Sequence, residues 1–248
     1  MATGLSFVVF GIGGVLIGLI GYPLLLLTTR QHNRVKYGQL LVHYNFAFFA
    51  WFMKILGIYS IEIHHRERLK QQGMLIIANH PTLIDVVLLL SLLRQSDCVV
   101  KSKLTQNVAT KGPLLAAGYI ENNSPEQLLE SCVVGLKDQR NLLIFPEGTR
   151  TRNLNRLSFK RGASLIALKS GRPIVPITIK CIPRMLAKGQ KWYKIPHSKP
   201  HFTIKIGDPI VFDDLLYSGE ALSIQSRKLN RRLIKYYSEE LQLGKNNN

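Results

Sequence analysis

The sequence predicts an α/β fold: a central mixed β-sheet flanked by helices, preceded by an apolar, membrane-associated segment of two helices. Three observations predict it. From residue 60 onward, short β-type apolar runs alternate with helical ones, the pattern of layered α/β architecture. Residues 1–29 carry no charged side chain. A length of 248 residues suits one domain with an appended segment and allows most apolar side chains to be buried. The boundary falls at residue 58, giving membrane-associated helices over 1–58 and an α/β domain over 59–248.

Residues 5–27 are nearly unbroken apolar sequence. As a helix they span about 35 Å, against a hydrocarbon core of roughly 30 Å. No basic stretch precedes them and no small-residue cleavage site comes after, which argues against a removable signal peptide. Gly14-x-x-x-Gly18 permits close helix packing. Arg30, Arg34 and Lys36 come next, and the positive-inside rule places residue 30 onward at the cytoplasmic face of an inner membrane. Residues 40–58 form a second apolar stretch, rich in aromatics but interrupted by His43, Asn45 and Lys54. They are expected to form an interfacial or re-entrant helix, or to pack on the globular domain.

Beyond residue 60, strands are expected at 61–64 and 74–78, joined by a polar turn containing Gly73. A helix over 85–93 and a short strand over 98–101 come next. Ser124 as N-cap and Pro125 at the first helical position predict a helix over 126–138. A buried-type strand over 141–145 stops at Pro146, and a helix over 159–170 closes on Gly171. Strands at 174–180 and 202–206 precede a helix over 226–241. That helix clusters Arg227, Lys228, Arg231, Arg232 and Lys235, either a solvated face or a surface for anionic lipid. The chain has no internal repeat, and its low-complexity sequence is confined to Asn246–Asn248.

Lys and Arg number 33 against 15 Asp and Glu, a formal charge of +18. Such an excess implies an anionic partner: nucleic acid, an anionic membrane, or an acidic carrier protein. The basic residues are scattered, without an aromatic-interleaved stacking motif or a recognition helix, which argues against nucleic acid. Cys98, Cys132 and Cys181 are odd in number and far apart. They suit neither a disulfide framework nor a metal site, and read as small core residues in a reducing compartment.

Two stretches carry chemistry. In Asn79-His80-Pro81-Thr82-Leu83-Ile84-Asp85, a histidine sits at a strand-to-helix turn with a carboxylate five residues on. In a continuous helix that spacing rotates the side chains about 140° apart. Pro81 pushes His80 out of the α region, so that Thr82 is the expected N-cap and Asp85, in the first turn, can reach back. His80 is then a candidate general base with Asp85 as its orienting partner. Thr82-x-x-Asp85 is equally a capping-box-like pattern, and these seven residues alone do not separate the two. The second stretch, Phe145-Pro146-Glu147-Gly148-Thr149-Arg150, ends a buried strand, where α/β proteins place ligand-binding loops. Gly148 lets the backbone approach a ligand, and Arg150 can grip a phosphate or carboxylate at two points. A plain strand-end turn is the other reading.

Together these stretches resemble the first and third blocks of the glycerolipid acyltransferases, the family of 1-acylglycerol-3-phosphate acyltransferases. The resemblance continues through Phe159-Lys160-x-Gly162 and through Ile174-Val175-Pro176-Ile177, which is similar to the family's fourth block. Lys101-x-x-Leu104 resembles the family's lysine-bearing acceptor segment, and the resemblance covers roughly residues 60–210 in order. It implies a membrane-associated O-acyltransferase. A fatty acyl group would move from a thioester of acyl carrier protein or coenzyme A to the hydroxyl of a lyso-lipid acceptor. His80 would take the hydroxyl proton and Asp85 would hold the imidazole. Lys101, Glu147, Gly148, Thr149 and Arg150 would line the substrate site, with Lys101 and Arg150 on the acceptor's anionic head and Glu147 orienting Arg150 or the loop. Backbone N–H groups around Gly148 would serve the oxyanion. The resemblance implies no metal and no redox cofactor.

One block departs. The family's second block reads glycine, two residues, phenylalanine, two residues, arginine. Here Gly118-Tyr119-Ile120-Glu121-Asn122-Asn123-Ser124 puts Glu121 at the phenylalanine and Ser124 at the arginine. Other acceptors therefore stay open: a lyso-aminolipid, or the lipid anchor of an aryl polyene, since the Asn79–Asp85 wording resembles acyltransferases of bacterial aryl-polyene or other specialised lipid pathways. A non-catalytic protein that binds membranes or polyanions is the third reading.

Overall fold

The computed structural model describes residues 2–122, 124–153 and 156–243; Asn123 of the second block and the Asn246–Asn248 tail lie outside them. The charge-free start is one apolar helix, Ala2–Thr28, built from α1 (Ala2–Leu16), a π-helical turn (Ile17–Gly21) and α2 (Tyr22–Thr28). Pro23 has no N–H for the Leu19 carbonyl and its ring crowds that oxygen, a mismatch that the wider π turn accommodates.

The extended Thr29 ends this helix, and α3 (Gln31–Ile55) begins two residues on. The N-terminal segment thus holds one helix long and apolar enough to cross a membrane, not two. The difference lies in α3, whose apolar run is interrupted by Gln39, His43, Asn45 and Lys54. It buries Val42, Phe46, Phe49, Ala50 and Met53 and exposes Tyr37, Tyr44, Phe48, Trp51 and Ile55.

The remaining elements are β1 (Ser60–His64), β2 (Leu75–Ala78), α4 (Asp85–Leu90), β3 (Asp97–Val100), α5 (Val108–Ala117), β4 (Ile120–Glu121), α6 (Pro125–Lys137), β5 (Leu142–Ile144), α7 (Gly162–Ser170), β6 (Ile174–Ile182), β7 (His201–Ile206), α8 (Asp213–Leu216) and α9 (Leu222–Glu240). Seven strands form one mixed sheet in the order β1-β7-β6-β2-β5-β3-β4, every neighbouring pair parallel except β6 with β7. The polar segment after β1 does not close a hairpin, because β7 and β6 lie between β1 and β2.

Alternate residues of the central strands feed two cores, as the period-two geometry of a strand requires. Ile76, Ala78, Leu143 and Val175 face α3 and α4; Leu75, Ile77, Leu142 and Ile144 face α6, α7 and α9. On α9 the buried side is Leu229, Leu233 and Tyr237. Of its five clustered cations, Lys228 pairs with Glu220, Arg232 with Asp214 and Lys235 with Glu239.

Strand β4 and helices α5 and α8 were not expected, and α4, α7 and α9 differ from expectation in their ends. Pro113 interrupts the pattern of α5; Asn107 caps it, its side chain accepting the Ala109 N–H at 2.9 Å. Pro113 leaves the Ala109 carbonyl without its i+4 donor, and α1 packs against that oxygen. A Cβ on Gly14 would stand 1.8 Å from it, and Gly18 meets Gly112 in the same contact. The Gly14-x-x-x-Gly18 pattern thus serves packing of α1 on α5. Helix α7 starts at Gly162 and not at 159, because the Lys160 N–H is drawn to the Pro146 carbonyl at 2.8 Å.

Candidate active site

Strands β2 and β5 are parallel neighbours, with Ile77 opposite Ile144, so the segments that leave their carboxyl ends lie side by side. That adjacency brings Asn79–Asp85 and Phe145–Arg150 together although 67 positions separate His80 from Glu147.

The first segment is anchored before the histidine. The buried Asn79 amide pairs with the Ile179 main chain, donating at 2.8 Å and accepting at 2.7 Å, and the Tyr237 hydroxyl donates to the Ile77 carbonyl. His80 Nδ1 lies 2.8 Å from Asp85 Oδ2; the Asp85 side chain is 0% exposed and that of His80 14%. A carboxylate at Nδ1 makes that nitrogen the protonated one and leaves Nε2 as the proton acceptor. The ring packs on Phe145 with centroids 4.5 Å apart.

Asp85 also accepts the Thr82 N–H at 2.6 Å and the Thr82 hydroxyl at 2.5 Å. The carboxylate half of a capping box is therefore present, but Thr82 is not the N-cap. Its hydroxyl is spent on Asp85, and Ile84 occupies the cap position without a side-chain bond. One buried carboxylate both holds the imidazole and closes the turn, so the two readings of the sequence describe the same side chain.

The second segment grips the first. Glu147 Oε1 accepts the His80 backbone N–H at 3.0 Å and the Thr151 hydroxyl at 2.7 Å, while the Thr151 N–H donates to the His80 carbonyl at 2.7 Å. Glu147 therefore orients the histidine turn, not Arg150. Burial raises its carboxyl above the ordinary range, against the bonds from Thr151 and His80. Gly148 has φ of +64°, and its N–H is already bonded to the Phe145 carbonyl at 3.0 Å, so it is not open to an oxyanion. Thr149 Oγ1 accepts from Lys188 Nζ at 2.6 Å. Arg150 Nη1 donates to the Leu186 and Ala187 carbonyls at 2.9 and 3.1 Å, so this nitrogen braces a loop. Lys101 is exposed just past β3 and acts electrostatically on Lys188.

A third segment, after the cis Ile182–Pro183 bond that ends β6, completes the arrangement. Arg184 donates through Nε to the Pro81 carbonyl at 3.1 Å and through Nη2 to the Thr151 carbonyl, stitching the other two segments together. Asn79, Thr82, Thr151, Arg184 and Lys188 carry these bonds; Thr82 was expected as a cap paired with Asp85, and the other four were missed by sequence reasoning. Asn79 and Thr82 sat inside the stretch already singled out, whereas Arg184 and Lys188 lie in a loop whose sequence carries no motif.

Fold and site define an α/β protein with a carboxylate-held histidine at the carboxyl end of its sheet. An acyltransferase family profile matches residues 60–180. The match supports the glycerolipid acyltransferase family. The 1-acyl-sn-glycerol-3-phosphate acyltransferase of Saccharomyces cerevisiae is 28% identical over 136 residues, 51% of this chain and 45% of that protein. The like-named protein of Limnanthes douglasii is 31% identical over 182 residues, 70% of this chain and 62% of the relative. The crystal structure of the 1-acyl-sn-glycerophosphate (LPA) acyltransferase PlsC from Thermotoga maritima superposes with a TM-score of 0.68. It is 22% identical, over 96% of this chain and 97% of PlsC, a likeness of fold. The chain spans about half the length of several curated relatives it matches.

Proposed function

We propose that this protein is a membrane-associated O-acyltransferase. It moves a fatty acyl group from an acyl carrier protein or coenzyme A thioester to the hydroxyl of a lysophospholipid such as 1-acylglycerol 3-phosphate. The observation that carries the reading is the 2.8 Å contact of His80 Nδ1 with the buried Asp85, within a chain of this family. Curated relatives named 1-acyl-sn-glycerol-3-phosphate acyltransferases support the acceptor.

In this mechanism His80 Nε2 accepts the acceptor's hydroxyl proton as the oxygen attacks the thioester carbonyl. The C–O bond forms, the tetrahedral oxyanion collapses, the C–S bond breaks, and the imidazolium returns its proton to the departing thiolate. Asp85 holds the tautomer and stabilises the imidazolium. General-base assistance of this kind contributes on the order of 10²–10⁴ in rate, the remainder coming from positioning. The site works at the cytoplasmic face of the membrane, reached through Ala2–Thr28 and the exposed aromatic side of α3.

A second reading keeps the chemistry and changes the acceptor to a lyso-aminolipid or an aryl-polyene lipid anchor. Ser124 at the position of the second-block arginine favours it.

The test is transfer of labelled acyl groups by membranes carrying the protein, with each thioester donor and with lysophosphatidic acid. His80→Ala is expected to reduce turnover by about 10² or more. Full activity in that variant overturns the assignment of the base. Turnover of an acceptor without phosphate, and none of lysophosphatidic acid, establishes the second reading.

A further inference from the structure

The loop between β6 and β7, residues 183–200, has two halves of opposite character. The first half packs against the catalytic segments. The Leu186 carbonyl accepts the Leu83 N–H at 3.1 Å, Arg150 bonds the Leu186 and Ala187 carbonyls, and Arg184 bonds those of Pro81 and Thr151. The second half, Lys191-Trp192-Tyr193-Lys194-Ile195, faces solvent. Trp192 is 53% exposed, Tyr193 57% and Ile195 66%, and none of the three has a part in the arrangement around His80.

We propose that residues 191–195 form a lipid-contacting tip, which enters the headgroup layer of the bilayer and seats the active-site loop at the membrane surface. The proposal rests on the reading of this protein as membrane-associated and deepens it by placing a lipid contact on the loop that braces the site.

Composition supports it first. Two amphipathic aromatic rings and an isoleucine alternate with two lysines, the residue types that settle at the boundary between headgroups and acyl chains. Among the described residues, neither Lys191 nor Lys194 forms an ion pair with a carboxylate. Their ammonium groups are thus available to lipid phosphates while their stems lie along apolar surface.

Continuity with the apolar helix supports it next. Trp192 rests on α1, edge-to-face with Phe7 at 5.9 Å between centroids, and a Cβ on Gly4 would stand 3.4 Å from the indole. Gly4 and Phe7 share one face of α1, and Leu5, Val8 and Ile12 form the exposed stripe beside it. Apolar surface therefore runs without a break from the tip onto Ala2–Thr28, the helix apolar enough to cross a membrane. Lipid covers both at once. An acidic carrier protein would engage the lysines but leave Trp192, Ile195 and the helix stripe in water.

The tip is also pre-formed and tied to the site. The Lys194 N–H donates to the Lys191 carbonyl at 3.1 Å, and the Trp192 and Tyr193 rings meet edge-on at 5.7 Å. The Ala187 carbonyl accepts from the Gln190 N–H on the tip side at 3.1 Å and from Arg150 on the catalytic side at 3.1 Å.

Trp51 on α3 and Trp192 are the two tryptophans of the chain, so each can be made the sole fluorophore. Emission of the full chain as Trp51→Phe and as Trp192→Phe is recorded with vesicles whose lipids carry bromine on the acyl chains near the headgroup. In Trp51→Phe, the emission of Trp192 is expected to shift to the blue and lose intensity. Quenching of Trp51 with none of Trp192 overturns the proposal and leaves membrane association standing. No quenching of either overturns both. A response of Trp192 to acyl carrier protein, with none to lipid, assigns the tip to the carrier and overturns the proposal equally.

Kinetics test the seating. Trp192→Ser combined with Ile195→Ser is expected to raise KM for long-chain 1-acylglycerol 3-phosphate held in vesicles roughly tenfold or more, the loss of two apolar side chains from lipid. KM and kcat for a short-chain acceptor dissolved as monomer stay at the wild-type values. An equal loss on both acceptors marks a role in loop structure and overturns the seating. If wild type transfers no acyl group at all, the acyl-transfer reading fails, and the Trp192 emission still decides the lipid contact.

Discussion

Glu147 accepts the backbone N–H of His80 at 3.0 Å, so the catalytic candidate is held by its main chain as well as by its ring. Thr151 completes the clamp through the His80 carbonyl, and together these bonds fix the ring's origin while Asp85 fixes its rotation.

The clamp predicts a split between two substitutions. Glu147→Gln keeps an oxygen acceptor for the His80 N–H and should fold well. Glu147→Ala leaves that donor unpaired in a largely buried turn and should cost about 1–3 kcal/mol of stability, with turnover falling as His80 shifts.

The pH dependence has a definite sign. Burial raises the folded Glu147 pKa above its unfolded value, so the folded state binds the extra proton between the two values. Stability therefore falls as pH rises through that window. Relative to Glu147→Gln, wild type should be most stable in acid and lose ground as pH rises. Urea unfolding of both at several pH values, in detergent, measures this; an unchanging difference refutes it.

Asp85→Asn tests whether the buried carboxylate serves chemistry or only the turn. Asparagine retains the size but can present an N–H to His80 Nδ1 and favour the wrong tautomer. Turnover should drop by about 10²–10⁴. Stability should fall by about 1–3 kcal/mol, because the Thr82 N–H and hydroxyl lose a charged acceptor. A purely structural cap predicts that stability loss with turnover intact.

Legibility from sequence tracked the range of the interactions. The α/β alternation, the strand ends and the helix boundaries at Pro125 and Gly171 are local signals, and they placed His80 at a turn and Glu147 at a strand end. The pairing order of the sheet was not legible, because β1 beside β7 is a contact between distant segments. For the same reason the sequence could name Glu147 but not its bond to the His80 N–H. It also could not foresee that Gly148 and Arg150 are already engaged with carbonyls. Helix α5 was hidden by Pro113, and the close approach of Gly14 to the freed Ala109 oxygen is a contact no local window contains.

The cysteines give a prediction free of the proposed activity. Burial pushes the Cys98 and Cys132 thiols up to about 12 and Cys181 up to about 11. At pH 8 almost none of each is thiolate, and all three are buried. Native protein should resist maleimide or iodoacetamide at pH 8, and three thiols should react after denaturation. Mass spectrometry of the labelled chain counts them, and rapid labelling of the folded protein contradicts the packing around β3, α6 and β6.

The proposed membrane attachment draws on geometry as well as on apolar length. Tyr44, Phe48, Trp51 and Ile55 recur at three- and four-residue intervals along α3, so they form one exposed stripe. The stripe lies opposite the buried side that holds α3 on the domain, and burying it in lipid would not disturb that core. Replacing Phe48 and Trp51 together by serine should therefore leave the thermal midpoint within a few degrees of wild type. Each ring presents on the order of 100 Å² to solvent, so their loss should weaken binding to lipid vesicles by about 2–5 kcal/mol. Flotation with anionic and with zwitterionic vesicles measures the effect. The +18 charge predicts tighter binding to the anionic set at low salt, while the stripe acts on both. Unchanged flotation of the double variant on both vesicle types would show that α3 does not touch the bilayer and leave Ala2–Thr28 as the anchor.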